Sequence, residues 1–294
     1  MNKTVLFISV LFLFACKTKN NAPLPDDLVY ENIALTWNDA NSPAFPKISA
    51  HRGGMDYAGY PENALETIQY VFAKTGAIIE CDIAATDDGQ LILLHDSSLD
   101  RTTTCDGKVS SYDWEQIDDC KLRDPNGQAT NFEIPTLDEL LDWADDKGVL
   151  FTLDIKRGVP FEKVVDLVRR YDYFDKAAII TYNVGQAQKV HRLAPEAFLS
   201  VTIRNEEELQ RMQQSGIPID RMIAFTGTRT KSPAFYEKLD QLGIPTILGT
   251  LGNLDKRAKA RNDNIYQNYI DDGVDILATN RPLEAFAATY QPAK

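Results

Sequence analysis

The sequence is short of histidine, cysteine and positive charge. Only three histidines (His51, His95 and His191) and four cysteines occur in 294 residues, and 31 lysines and arginines stand against 43 aspartates and glutamates. A formal net charge of −12 excludes counterion-driven binding to nucleic acid or to an anionic lipid surface. A small anionic substrate therefore needs a local positive site. Because so few groups here titrate near neutral pH, each histidine is weighed for proton transfer. His191, on a helix and followed by Arg192, reads as a surface residue and is assigned no role.

The N-terminal apolar run is too short to cross a bilayer. "MNKTVLFISVLFLFACKTKN" has a basic start, roughly a dozen apolar residues and then Ala15-Cys16, which suits a signal-peptide core. The "LFAC" ending resembles a bacterial lipobox, so residues 1–16 are expected to be a lipoprotein-type signal with Cys16 as the acylated residue. The alternative is an ordinary secretory signal with an incidental cysteine. Residues 17–45 then form a polar tether and 46–294 the folded domain. The location expected is the bacterial cell envelope, with the membrane as a partner through the lipid anchor. In such a compartment Cys105 and Cys120 either pair or remain free thiols, a choice that spacing does not make. Cys81 alternates with Glu80 and Asp82, so it faces the opposite side of its strand, toward covering helices.

From residue 46 onward, short β-branched runs alternate with helical periodicity. Strands are predicted at 47–52, 77–83, 150–155, 177–182, 198–203, 221–225, 245–250 and 275–280. Helices are predicted at 63–74, 136–147, 160–172, 184–193, 205–215, 232–242, 255–271 and 282–290. Thr136 three residues before Glu139 forms a capping box, and Asn205 precedes an acidic first turn. This alternation specifies an α/β fold, a (β/α)8 TIM barrel, with a hairpin and a small insertion (about 84–135) between the second and third strands. Asp88-Gly89 marks the hairpin. If these two are the loop residues, Asp82 lies opposite His95, and Glu80 shares that face.

Reactive residues of such barrels sit at the C-terminal strand ends. There the first strand ends in His51-Arg52, the second holds Glu80 and Asp82, and the third ends in Asp154-Ile155-Lys156. Three carboxylates form an all-oxygen donor set suited to one hard divalent cation, Ca²⁺ or Mg²⁺. Arg52 and Lys156 supply positive charge for a phosphate group. His51 and His95 suit a general acid/base pair.

These residues fall in ordered motifs: "HRGG", "PEN" at 61–63, "ECDIAATDDGQLILLHD" at 80–96, "RTT" at 101–103, "IPTLDELL" at 134–141 and "LDIK" at 153–156. The pattern resembles the glycerophosphodiester phosphodiesterase family, within the superfamily of phosphatidylinositol-specific phospholipase C-like phosphodiesterases, over about residues 48–156. The resemblance implies metal-dependent hydrolysis of a small anionic glycerophosphodiester to glycerol 3-phosphate and an alcohol. It implies Glu80 and Asp82 as metal ligands, with Asp154 where the family usually has Glu. It further implies His51 and His95 as the acid/base pair, Arg52 and Lys156 as phosphate contacts, and Glu62 and Asn63 as supporting residues. Two further departures stand out: "TILGTLGNLD" lacks the Trp-containing segment of many members, and Asn280 stands where Asp is common. The alternatives are a related phosphodiesterase acting on phospholipids or wall glycerol-phosphate polymers, and a surface lipoprotein that binds phosphodiesters without cleaving them.

Overall fold

The computed structural model describes residues 35–290. The expected signal segment, Cys16 and the tether up to residue 34 lie outside the described residues. β1 (Ile48–Ala50) runs through a 3-10 turn, His51–Gly53, toward α1 (Leu65–Thr75). β2 (Ile78–Ala85) turns back as β3 (Leu91–Leu93). Then β4 (Lys121–Arg123) and β5 (Ala129–Glu133) pair with each other before α2 (Leu137–Ala144). Strict alternation follows: β6 (Phe151–Ile155), α3 (Phe161–Arg170), β7 (Ala177–Thr181), α4 (Val184–Leu193), β8 (Phe198–Thr202), α5 (Glu206–Gln213), β9 (Met222–Phe225) and α6 (Pro233–Gln241). The chain ends with β10 (Thr246–Gly249), α7 (Asn253–Lys259), α8 (Ile265–Asp271), β11 (Ile276–Thr279) and α9 (Pro282–Thr289).

Eight strands pair in parallel in the order β1-β11-β10-β9-β8-β7-β6-β2, and β1 pairs with β2 to close the ring. The molecule is therefore a (β/α)8 barrel, and each predicted barrel strand falls on one of its staves. Side chains alternate between the interior and the helices with the period of two. On β2, Ile79, Cys81 and Ile83 pack outward in the helix-covered core, while Ile78, Glu80 and Asp82 face inward. Cys81 is wholly buried, as its alternation predicts.

The interior is graded from apolar to acidic. Ile78, Leu150, Phe198, Ile223, Ile247 and Ile276, all near the N-terminal strand ends, form an apolar bottom layer. Residues 35–45, counted with the tether in the sequence reading, belong to this layer: Leu35, Trp37, Ala40 and Phe45 cap it. Trp37 is 2% exposed and its indole N–H reaches the carbonyls of Phe151 (3.3 Å) and Lys176 (3.1 Å). This satisfies the one polar atom that such burial would otherwise strand.

Two other expectations need correction. The hairpin pairs Ile83 with Leu93 and Ala85 with Leu91, so Asp82 lies opposite Leu94, not His95. Thr86 closes on Gln90 around three residues, with Gly89 at φ 88°, and this longer loop shifts the register by one. The helix predicted at 255–271 is broken into α7 and α8, because Asn262 and Asp263 adopt left-handed φ values of 56° and 61°. Asp263 is buried there against Arg281.

The insertion is a built structure with its own core of Leu99, Val109, Ile117, Leu122 and Ile134. A Cys105–Cys120 disulfide, with Cα atoms 5.7 Å apart, joins its two halves. The predicted caps are present: Thr136 with Glu139, and Asn205 on the Glu208 N–H.

Candidate active site

The site is assembled from the ends of β1, β2, β6, β7 and β11. Parallel register places Asp82 beside Asp154 and Glu80 beside Thr152, one layer deeper. Ligating oxygens of Glu80, Asp82 and Asp154 all lie within 4.8 Å of one another, and all three residues are buried. Carboxylates at this spacing repel unless a cation or proton intervenes.

Burial, followed by the charges of Asp82 and Asp154, pushes the Glu80 carboxyl well above its ordinary range. Burial would raise Asp82 too, but the Lys156 ammonium, a hydrogen bond from Asn63 and the Arg52 charge outweigh it and hold Asp82 below its ordinary value. Lys156 Nζ lies 2.5 Å from Asp82 Oδ1 and 2.6 Å from Asp154 Oδ2. Burial disfavours its charge, but these two carboxylates dominate and raise its pKa. Asp154 Oδ2 also accepts from the Tyr182 hydroxyl at 2.8 Å, while the buried Oδ1 has no partner among the described residues. An unpartnered carboxylate oxygen facing two further acids fits a hard divalent cation, and the donor set is oxygen throughout.

The "HRGG" turn sets the wall beside these acids. Arg52 is left-handed (φ 54°), and its N–H donates to Glu80 Oε2 at 2.7 Å while its carbonyl accepts from the Asn63 N–H at 2.8 Å. Gly53 follows at φ 73°, and a Cβ there would come within 2.6 Å of Ile68 Cγ1, so only glycine fits. Asn63, itself at φ 57°, clamps Asp82 twice: Nδ2 donates to Asp82 Oδ2 (2.7 Å), and Oδ1 accepts from the Asp82 N–H (3.1 Å). The Arg52 guanidinium donates to Glu62 at 2.9 Å, with Nε 3.5 Å from Asp82 Oδ2.

His51 Nδ1 lies 2.7 Å from Asn280 Oδ1, and Nε2 lies 4.0 Å from Glu80 Oε2. With an amide oxygen as acceptor, Nδ1 carries the proton and Nε2 presents a lone pair. Burial, followed by the Arg52 charge, lowers the His51 pKa, only partly offset by Asn280 and the nearby acids. Asn280 is itself fixed. Its N–H donates to Asp255 Oδ2 (3.0 Å), and the other oxygen of that buried aspartate accepts from Thr279 and Tyr266 (both 2.9 Å).

His95 reaches the site differently. It is not among the residues lining the cavity that holds His51, Glu80 and Asp154. A chain of charges links it there: His95 Nδ1 to Asp96 (2.6 Å), Asp96 to Arg101 (2.6 Å), Arg101 to Glu62 (2.8 Å) and Glu62 to Arg52. Burial would raise the Glu62 pKa, but its bonds from Arg101 and the Arg52 charge keep it low. The structure thus groups His51, Arg52, Glu62, Asn63, Glu80, Asp82, Asp154 and Lys156 tightly, with His95 at the end of a network. His191 lies on α4, half-buried and away from this group.

Tyr182, Asp96 and Arg101 were missed as site residues, and Asn280 was noted only as a departure from the family's common Asp. Their positions carried a signal: Tyr182 directly follows β7, Asn280 directly follows β11, and Asp96 and Arg101 lie in the "LLHD" and "RTT" motifs.

The glycerophosphoryl diester phosphodiesterase family matches residues 51–229. A glycerophosphodiester phosphodiesterase of Caldanaerobacter subterraneus subsp. tengcongensis is 30% identical over 154 residues, covering 50% of this chain and 63% of its own length. The chain thus spans less than two thirds of that relative. A crystal structure of a glycerophosphoryl diester phosphodiesterase from Parabacteroides distasonis superposes with TM-score 0.74 at 33% identity, covering 83% of this chain and 85% of that one. A glycerophosphodiester phosphodiesterase from Agrobacterium tumefaciens shares the fold, with TM-score 0.66 at 22% identity over 83% of this chain and 100% of that one. On the matched segment, the motifs that build the acidic cluster and the similarity over the whole barrel, this chain belongs to the glycerophosphoryl diester phosphodiesterase family.

Proposed function

We propose that the protein hydrolyses small glycerophosphodiesters to glycerol 3-phosphate and an alcohol, with one divalent cation, Ca²⁺ or Mg²⁺, held by Glu80, Asp82 and Asp154. The observation that carries this reading is the convergence of those three buried carboxylates beside His51, Arg52 and Lys156 at one barrel mouth. When bound there, the cation supplies Lewis-acid stabilisation of charge on the phosphoryl oxygens.

The chain's own residues divide the remaining work. Arg52 and Lys156 put positive charge beside the phosphate. His51, held neutral by burial and oriented by Asn280, takes the proton of the attacking hydroxyl at Nε2: water gives glycerol 3-phosphate directly, whereas the glycerol 2-hydroxyl gives a cyclic phosphate that a water molecule then opens to glycerol 3-phosphate. As the phosphorus–oxygen bond to the alcohol breaks, His95 gives a proton to the departing oxygen, its ring oriented by Asp96 at Nδ1. Glu62 and Asn63 hold Arg52 and Asp82 in place. Among the described residues, the exposed large apolar side chains are Tyr182 and Tyr290. This favours a soluble diester over a phospholipid embedded in a bilayer.

Export and lipid attachment at Cys16 complete the proposal, and the Cys105–Cys120 disulfide supports an oxidising compartment. Mass spectrometry of the N-terminal peptide checks it: an acylated Cys16 is the expected form, and an intact residue 1–16 segment contradicts it.

The division of labour is tested with His51→Ala and His95→Ala variants, on glycerophosphocholine and on a glycerophosphodiester with a nitrophenol leaving group. Losses of roughly 10²- to 10⁴-fold on glycerophosphocholine are expected for both variants. The nitrophenyl diester, whose leaving group needs no proton, recovers His95→Ala alone. Equal losses on both substrates count against His95 as the acid.

A further inference from the structure

The catalytic cavity is larger than the reacting group requires. It encloses about 490 Å³ and runs from His51, Glu80 and Asp154 to a wall that carries Arg204, Arg229 and Lys231. Around the ring, β9 stands four staves from β2 in either direction, so the loop after β9, which carries Arg229 and Lys231, lies diametrically opposite Glu80 and Asp82. These cations are a barrel's width from the acidic cluster, where the diester phosphate is placed.

Their charge is not spent within the protein. Arg204 is paired with Glu208, whereas neither Arg229 nor Lys231 has a carboxylate partner among the described residues. The acids lining the cavity are Glu80 and Asp154, both on the catalytic side. In a chain with 43 acidic and 31 basic residues, Arg229, exposed, and Lys231, half-buried, put two cations without a carboxylate partner at the cavity wall, where they can receive an anionic group.

The loop is pinned at both ends. Thr226 N–H donates to the Ile247 carbonyl (2.8 Å), and Gly249 N–H to the Gly227 carbonyl (3.0 Å). The Lys231 N–H donates to the Tyr236 hydroxyl at 3.1 Å. Gly227 adopts φ 91°, where a Cβ would press on Arg204 at 3.3 Å. Pinned ends leave a shorter segment to be ordered on binding. Between the two ends, Ser49, Thr152, Ser200 and Thr202 supply hydroxyls along the floor. A quaternary ammonium on the far wall would meet the Phe225 ring but also the charges of Arg229 and Lys231, with no carboxylate there among the described residues to balance its own.

We propose that the far wall selects glycerophosphodiesters whose alcohol half is a polyol carrying a second anionic group, with Arg229 and Lys231 as its receptors. The inference rests on the hydrolase reading above and names the substrate class within it.

The probes are glycerophosphoinositol and its 4-phosphate, which share one scissile bond and differ by a phosphomonoester, with glycerophosphocholine as the cationic comparison. The wild-type protein is expected to favour the 4-phosphate in kcat/KM by roughly 10- to 100-fold, the effect of one or two charge-assisted hydrogen bonds. Glycerophosphocholine should be the poorest of the three. An Arg229→Gln/Lys231→Gln variant should lose most of that preference, and added salt should narrow it in the wild type. Calorimetric binding of the same diesters to the His51→Ala protein repeats the comparison without turnover. If no diester is cleaved, the hydrolase reading fails while the ratio of dissociation constants still decides the specificity claim. Equal affinity for both inositol diesters, no tighter binding of the 4-phosphate, or a preference undiminished in the double variant overturns the proposal.

Discussion

At the scale of single residues, the site is a set of neutralised charges. Each acid in it has an answering group: Asp82 has Lys156 and Asn63, Glu62 has Arg52 and Arg101, and Asp96 has Arg101 and His95. Among the described residues Glu80 has only the Arg52 backbone N–H within hydrogen-bond range, and burial drives its carboxyl upward. Asn280 orients His51 without touching the reacting atoms, so it is a positioning residue. Asn280→Ala is expected to lower kcat roughly 10- to 100-fold, part of the 10²–10⁴ that a well-placed acid/base group contributes. KM should change little, and Asn280→Asp, which keeps an acceptor oxygen, should recover most of the loss. Steady-state kinetics on glycerophosphocholine separates this from a purely structural role, in which both variants would fail together. Glu80, Asp82, Asp154, His51 and Arg52 were legible because charge inside an apolar strand has no cheap explanation. The roles of Asn280, Tyr182 and Arg101 were not, since a polar residue just after a strand, or in a polar insertion, does not show its task until its partner, distant in sequence, is known.

At the scale of elements, periodicity located strands well and registers poorly. Eight apolar runs became eight staves because burial on both faces is visible in composition alone. The hairpin register turned on whether Asp88-Gly89 closes a two- or three-residue loop, and the Thr86 hydroxyl, bonded to Asp88 and to the Gln90 N–H, decides for three. No hydrophobic pattern encodes that choice. The α7–α8 break is similar, with Asn262 and Asp263 turning left-handed where Arg281 offers Asp263 a buried partner. The insertion depends on its own staple. Opening the Cys105–Cys120 bridge, which closes a loop of 15 residues, is expected to cost about 3 kcal/mol by the chain-entropy account. Cys105→Ser/Cys120→Ser should therefore lower the thermal midpoint and speed amide exchange over 97–135, ahead of the barrel strands. Unchanged exchange there would mean that the core around Leu99, Ile117 and Leu122 suffices.

At the scale of the whole molecule, the barrel separates stability from chemistry along its axis. Trp37 and Phe45 seal the apolar bottom, and the acids crowd the opposite end. Three buried carboxylates held by one ammonium and a few hydrogen bonds make a mouth that an added cation should stabilise. The central claim is that this cluster is a divalent-cation site on which hydrolysis depends. The most direct measurement is release of glycerol 3-phosphate from glycerophosphodiesters with Ca²⁺, with Mg²⁺ and with EDTA, by the wild type and by Glu80→Ala. Release that needs one of the cations, vanishes in EDTA and is lost in a folded Glu80→Ala protein is the predicted result. Release that persists in EDTA, or that survives Glu80→Ala, would contradict the account.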